Sequence, residues 1–170
     1  NPEVIESYRL VGYENRLLNN EDFNDDTKDA GEIGAGHSVT ALYEVVLKGE
    51  GDGKTNVDPL KYQSTDTKKN FGDEMLTVKF RYKEPDGDKS KLLERTLANK
   101  ISADKSLSID FRFSAAVAQF GMILTDSKHK GTATFDDVLT LAAGAKGKDK
   151  NGYRAEFLRL VDAAKVVYGG

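Results

Sequence analysis

Apolar positions recur every second residue through the first hundred residues of this chain and every third or fourth thereafter, so the pattern predicts strands first and helices last. Tyr8 to Leu18 reads as a strand, with Tyr8 and Leu10 on one face and Val11 and Tyr13 on the other. His37 to Lys48 reads as a second. There Val39, Ala41, Tyr43, Val45 and Leu47 alternate with Thr40, Leu42, Glu44, Val46 and Lys48, and apolar residues on both faces predict a central place in a sheet. Met75 to Lys83 separates most cleanly: Leu76, Val78, Phe80 and Tyr82 face one way, and Thr77, Lys79, Arg81 and Lys83 the other, for one buried and one wet face. Glu84-Pro85-Asp86-Gly87-Asp88 supplies a turn, since proline fixes φ and glycine accepts a positive one, and Lys91 to Ala98 closes an antiparallel hairpin.

After Ala103 the period lengthens. Ile109, Phe113, Val117, Phe120 and Leu124 share a helical stripe, with Ala115, Ala116 and Ala118 allowing a neighbour close. A second helix begins near Thr134, where Thr134 and Asp137 have capping-box spacing, and runs to about Ala145. A third follows the GKDKNG linker, with Phe157, Leu160, Val161, Ala164 and Val167 as its stripe and Gly169-Gly170 at its end. This order predicts an α+β fold: an antiparallel, sandwich-like sheet, open to completion at its N-terminal end, followed by about three helices packed on it. One domain is expected over residues 1–170, β-rich to about residue 100 and helical from about 105.

Two polar stretches interrupt the strands. Asn19 to Gly36 is acidic and ends in glycines 31, 34 and 36, which let the backbone turn tightly into the second strand. Gly49 to Asp73 is long and polar, with Leu60, Tyr62 and Phe71 as its anchors, the profile of a docking segment or of a mobile loop.

The charge balance narrows the classes of partner. A net charge of -3 with Lys and Arg spread along the chain gathers no phosphates, so nucleic acid is not expected as a partner. The absence of cysteine removes disulfides, thiolate nucleophiles and cysteine metal sites together. No apolar run is long enough to span a membrane. The opening NPEVIESYRL is neither a signal nor a transit peptide, and its abrupt start predicts a fragment of a larger protein.

Several short motifs resemble reactive sites and lack the context each needs. GEIGAGHS, residues 31 to 38, puts His37 where a phosphate loop requires lysine, and it follows an acidic loop and opens a strand, not a helix. Asp104-Lys105-Ser106-Leu107-Ser108 fits a D-x-S-x-S cation loop, but no buried parallel strand precedes it, and Ser106 or Ser108 reads better as a helix N-cap. Asp22-Phe23-Asn24-Asp25-Asp26 spaces oxygens as half an EF-hand does, with Thr27 in place of the turn glycine and Ile33 in place of the bidentate glutamate, so a solvated acidic loop is favoured over a looser calcium site. His37 with Glu32 or Glu44 is a candidate general base without a nucleophile. Tyr8, Tyr13, Tyr43 and Tyr82 form either an aromatic face for glycan stacking or ordinary sheet residues. Catalytic, cofactor and metal residues are therefore not assigned, and no enzyme activity is expected.

Five blocks in order carry a resemblance: YRLVGYENRLLNNEDFNDDTKDAGEIGAGHSVTALYEV, VDPLKYQ, LTVKFRYKEPDGDKSKLLE, DFRFSAAVAQFGMIL and GYRAEFLRLVDAAK. Together they resemble the uncharacterised carboxy-terminal domain that follows the A domain in bacterial von Willebrand factor A proteins. The resemblance implies an A domain upstream, export to the periplasm or cell surface, and a β region, open to completion by strands upstream of Asn1, followed by helices. It offers no catalytic residues. The function expected is a non-catalytic accessory module that braces the upstream A domain or mediates assembly with an envelope protein. The alternatives are a glycan- or peptide-binding adhesion module and, less favoured, a hydrolase using His37.

Overall fold

The computed structural model describes residues 1–12, 20–28, 31–49, 71–100 and 107–168. Tyr13, the expected strand residues 13–18, Asp104, Ser106, the terminal glycines and nearly all of the 49–73 loop lie outside them. The chain divides into two compact units, Asn1–Ile101 and Ser102–Gly170. Among the described residues strands precede the α-helices and both strand pairings are antiparallel, as expected of an α+β fold.

Among the described residues the first unit holds two two-stranded sheets. Strand β1, Ile5–Val11, pairs with β2, Leu42–Leu47, with Tyr8 opposite Val45, Arg9 opposite Glu44, Leu10 opposite Tyr43 and Val11 opposite Leu42. The described register ends there, and Gly12 follows with φ of 75°, a value that favours glycine. Residues 37–41 have no partner strand among the described residues, and β2 starts five residues later than the alternation predicts. It also has one described neighbour, β1, in place of a central position.

Strand β3, Glu74–Tyr82, pairs with β4, Lys91–Ala98, across the turn whose Gly87 N–H donates to the Glu84 carbonyl at 2.9 Å. Gly87 does not use positive φ. It serves by lacking a Cβ, which would stand 3.3 Å from the Glu84 oxygen. The expected faces of β3 are present in pattern but differ in depth: Val78 and Phe80 remain 47% and 49% exposed, and every residue of β4 is exposed.

Three helices make up the second unit: α1, Ile109–Leu124, α2, Phe135–Gly144, and α3, Tyr153–Tyr168. Ser108 caps α1, its hydroxyl accepting from Phe111 N–H at 3.1 Å. Thr134 and Asp137 form the full capping box on α2. Asp149 starts α3, its carboxylate accepting from the N–H groups of Arg154 and Ala155 at 3.1 and 2.8 Å. All seven buried apolar residues among the described ones lie between Ala116 and Val161. Their centre is a set of edge-on rings, with Phe120 5.5 Å from Phe157 and 6.2 Å from Phe135.

The stripes are rotated from those the sequence predicts. On α1 the inward positions are Phe113, Ala116, Phe120 and Ile123, while Ile109, Val117 and Leu124 stay exposed. Ala116 is fully buried because its methyl side chain allows close packing, which Val117 would oppose. On α3, Leu160 and Val167 are 55% and 73% exposed instead of facing the core.

Candidate functional site

The acidic segment 20–28 is bound to β3 by polar contacts. It forms a short 3-10 turn, Asn20–Asn24, followed by a tight bend. Arg81 donates from Nη1 to Asn24 Oδ1 at 3.0 Å and lies with its guanidinium 6.0 Å from the Phe23 ring centre. Lys83 Nζ donates to the Asp26 carbonyl at 2.6 Å. Asp26 is held below the usual carboxylate range by hydrogen bonds from the Ser90 hydroxyl and backbone, with Arg81 and Lys83 adding to the effect. Asp25 is lowered first by the Thr27 hydroxyl and then by the Thr27 N–H, bonded at 2.7 and 2.9 Å. Asp22 pairs with Lys28 at 3.4 Å. The three carboxylates thus serve different partners, and among the described residues no three His, Asp or Glu side chains converge as metal ligands.

Residues 34–37 form a turn closed by His37 N–H to the Gly34 carbonyl at 3.0 Å, with Gly36 at φ of 77° in the third position, as a type II turn demands. His37 is exposed, and its Nδ1 lies 3.2 Å from the Ala35 carbonyl. No phosphate-loop geometry surrounds it, because β2 follows and no helix begins there.

The expected aromatic face is divided. Tyr8 and Tyr43 share one face of β1–β2 with Leu10 and Val45, and are 73% and 56% exposed. Tyr82 lies on β3, stacked 6.4 Å from Phe80.

The β3–β4 sheet presents a broad apolar face among the described residues. The register sets Leu76 opposite Leu97 and Phe80 opposite Leu93, with Val78 opposite Arg95 between them. Alternation along β3 signals half of this face in the sequence, whereas KLLERTLA on β4 hides the contribution of Leu93 and Leu97 behind adjacent leucines.

In the second unit, a shallow groove of about 400 Å³ runs between α1 and α3, lined by Phe120, Leu124, Leu160, Ala163, Val167 and Tyr168. A polar hollow of about 590 Å³ lies where Gln119, Lys130, Thr132 and Asp137 meet. At the polar hollow the Asp137 carboxylate accepts from the Thr134 hydroxyl at 2.7 Å as part of the α2 cap, and Lys130 pairs with Asp126. Among the described residues no helix is long and apolar enough to cross a membrane.

Residues 1–167 match the protein family described as "Uncharacterized protein YfbK, C-terminal". Over 166 residues the chain is 40% identical to "Uncharacterized protein YfbK" of Escherichia coli (strain K12), an alignment covering 96% of this chain and 28% of that protein. The chain therefore spans less than a third of the curated relative that it matches. No solved structure matches it.

Proposed function

We propose, for a chain that belongs to the family of YfbK carboxy-terminal domains, that it is a non-catalytic accessory module of a longer, envelope-associated protein. On this reading it braces an upstream von Willebrand factor A domain or presents a surface for assembly, and the longer protein is exported to the periplasm or cell surface. One observation carries the proposal: the strand unit has apolar sheet faces and no buried side chain among its described residues. Two-stranded sheets are marginal by themselves and become stable when an apolar face is covered. Each half-exposed Leu or Phe leaves about 1 kcal/mol of burial unrealised. A free-standing catalyst gains nothing from such a surface, whereas a module that docks depends on it. The acidic segment 20–28 is a further candidate contact, and a hydrolase centred on His37 gains no support from a ring whose Nδ1 faces the Ala35 main-chain carbonyl.

Calorimetric titration of this chain against its upstream A domain, with and without magnesium or calcium, tests the proposal. Micromolar binding is expected, and an absence of heat under both conditions contradicts the bracing role.

A second reading has its own observation. Tyr8 and Tyr43 on one exposed face form an aromatic platform suited to a glycan ring or an extended peptide. Tyr8→Ala and Tyr43→Ala should then each weaken retention on a glycan or peptide array at least tenfold, and unchanged retention removes this reading.

A further inference from the structure

Resting on the accessory-module reading, we propose that the apolar face of β3–β4 docks polypeptide that precedes residue 1 in the longer protein, which lies across it as a second layer. Leu76, Val78, Phe80, Leu93 and Leu97 are contiguous through the strand register. The last four are each 47–49% exposed, an open apolar surface of the kind that a second sheet or helix covers.

The occupant follows from where the chain enters and from how much protein lies ahead of it. Asn1 donates from its main-chain nitrogen to the Met75 carbonyl at 2.8 Å and from Nδ2 to the Glu74 carbonyl at 2.7 Å. Asn1 thus stands beside Glu74 and Met75, and a residue preceding it starts next to the first residues of β3. The family is described as the carboxy-terminal part of its parent protein, and more than two thirds of the Escherichia coli relative lies outside the match.

A second copy of the chain fits the face less well. Arg95 stands in its middle, opposite Val78, and a two-fold axis there brings two guanidiniums together. The covering layer should instead be apolar, with a carboxylate or free carbonyl facing Arg95.

The test uses the full-length protein. Val78→Cys and Leu93→Cys report the apolar face and Lys79→Cys the polar one, and p-benzoylphenylalanine replaces Phe80 for photo-crosslinking. Maleimide should label positions 78 and 93 at least tenfold more slowly than position 79, with the difference lost in urea. Crosslinks from position 80 should map to residues preceding residue 1. Equal labelling on both faces, or crosslinks confined to residues 1–170 or to a second copy, overturns the proposal. Crosslinks to preceding residues outside the A domain leave this docking intact while removing the bracing role, so the two failures are distinguishable.

Discussion

Arg154 holds its guanidinium 4.7 Å from the centre of the Phe113 ring, joining the first turn of α3 to the inward face of α1. The same guanidinium donates to the Ala145 carbonyl at 2.9 Å and pairs with Asp110, while Arg112 donates to the Gly144 carbonyl at 2.7 Å. Two cations therefore satisfy the carbonyls at the C-terminal end of α2, where the helix dipole favours positive charge. Arg154→Ala should destabilise the helical unit by about 2 kcal/mol, mainly from the lost bond to the Ala145 carbonyl and the lost cation–π contact, the exposed Asp110 pair adding little. Arg154→Lys should recover less than half, since a single ammonium cannot serve the ring and both acceptors. Urea unfolding followed by circular dichroism at 222 nm measures both, and wild-type behaviour of Arg154→Ala contradicts the role given to this residue.

Phe120 touches both Phe135 and Phe157 and is 7% exposed. Phe120→Ala opens a cavity between three helices and should cost about 3–5 kcal/mol. Leu160→Ala, at a position 55% exposed, should cost under about 1 kcal/mol. Thermal unfolding of the two variants ranks them, and equal losses contradict the rotated α3 stripe.

Thr134→Ala removes the hydroxyl that accepts from the Asp137 N–H and should cost about 1 kcal/mol at neutral pH. Asp137 is held below its ordinary value by the Thr134 hydroxyl first and the Thr134 N–H second. Because its folded pKa is depressed, the associated stability is present above the unfolded value and is lost as pH falls through the folded one. The gap between wild type and Thr134→Ala should hold from pH 7 to about pH 5 and narrow below about pH 4. A gap independent of pH assigns the capping effect to the hydroxyl alone.

Arg81 ties segment 20–28 to β3 through Asn24, Phe23 and Asp26. Arg81→Ala should speed amide exchange at Thr27 and Lys28 without shifting the helical unfolding transition, since exposed ion pairs contribute under about 1 kcal/mol. Unchanged exchange at Thr27 contradicts the tethering.

The sequence was most legible where short-range chemistry decides the outcome. Thr134 with Asp137, Ser108 as a cap, the β3 alternation and the Pro85 turn all depend on neighbours within a few residues. Helix order was legible, but the inward face of α1 was not, because close approach favours Ala116 over the larger Val117 and periodicity cannot weigh size. The Asp149 cap was hidden in GKDKNG, which reads as a charged linker until its carboxylate is seen to meet two N–H groups. The start of β2 at Leu42 coincides with its pairing to Val11, a long-range fact. The candidate docking face was half visible: β3 announces it, while β4 mixes Leu92 with Leu93 on opposite faces.

The most direct measurement of the accessory role is differential scanning calorimetry of the longer protein with and without residues 1–170. If the chain braces what precedes it, its removal should lower the melting temperature of the remainder by several degrees and broaden the transition. An unchanged transition in the truncated protein would contradict the account.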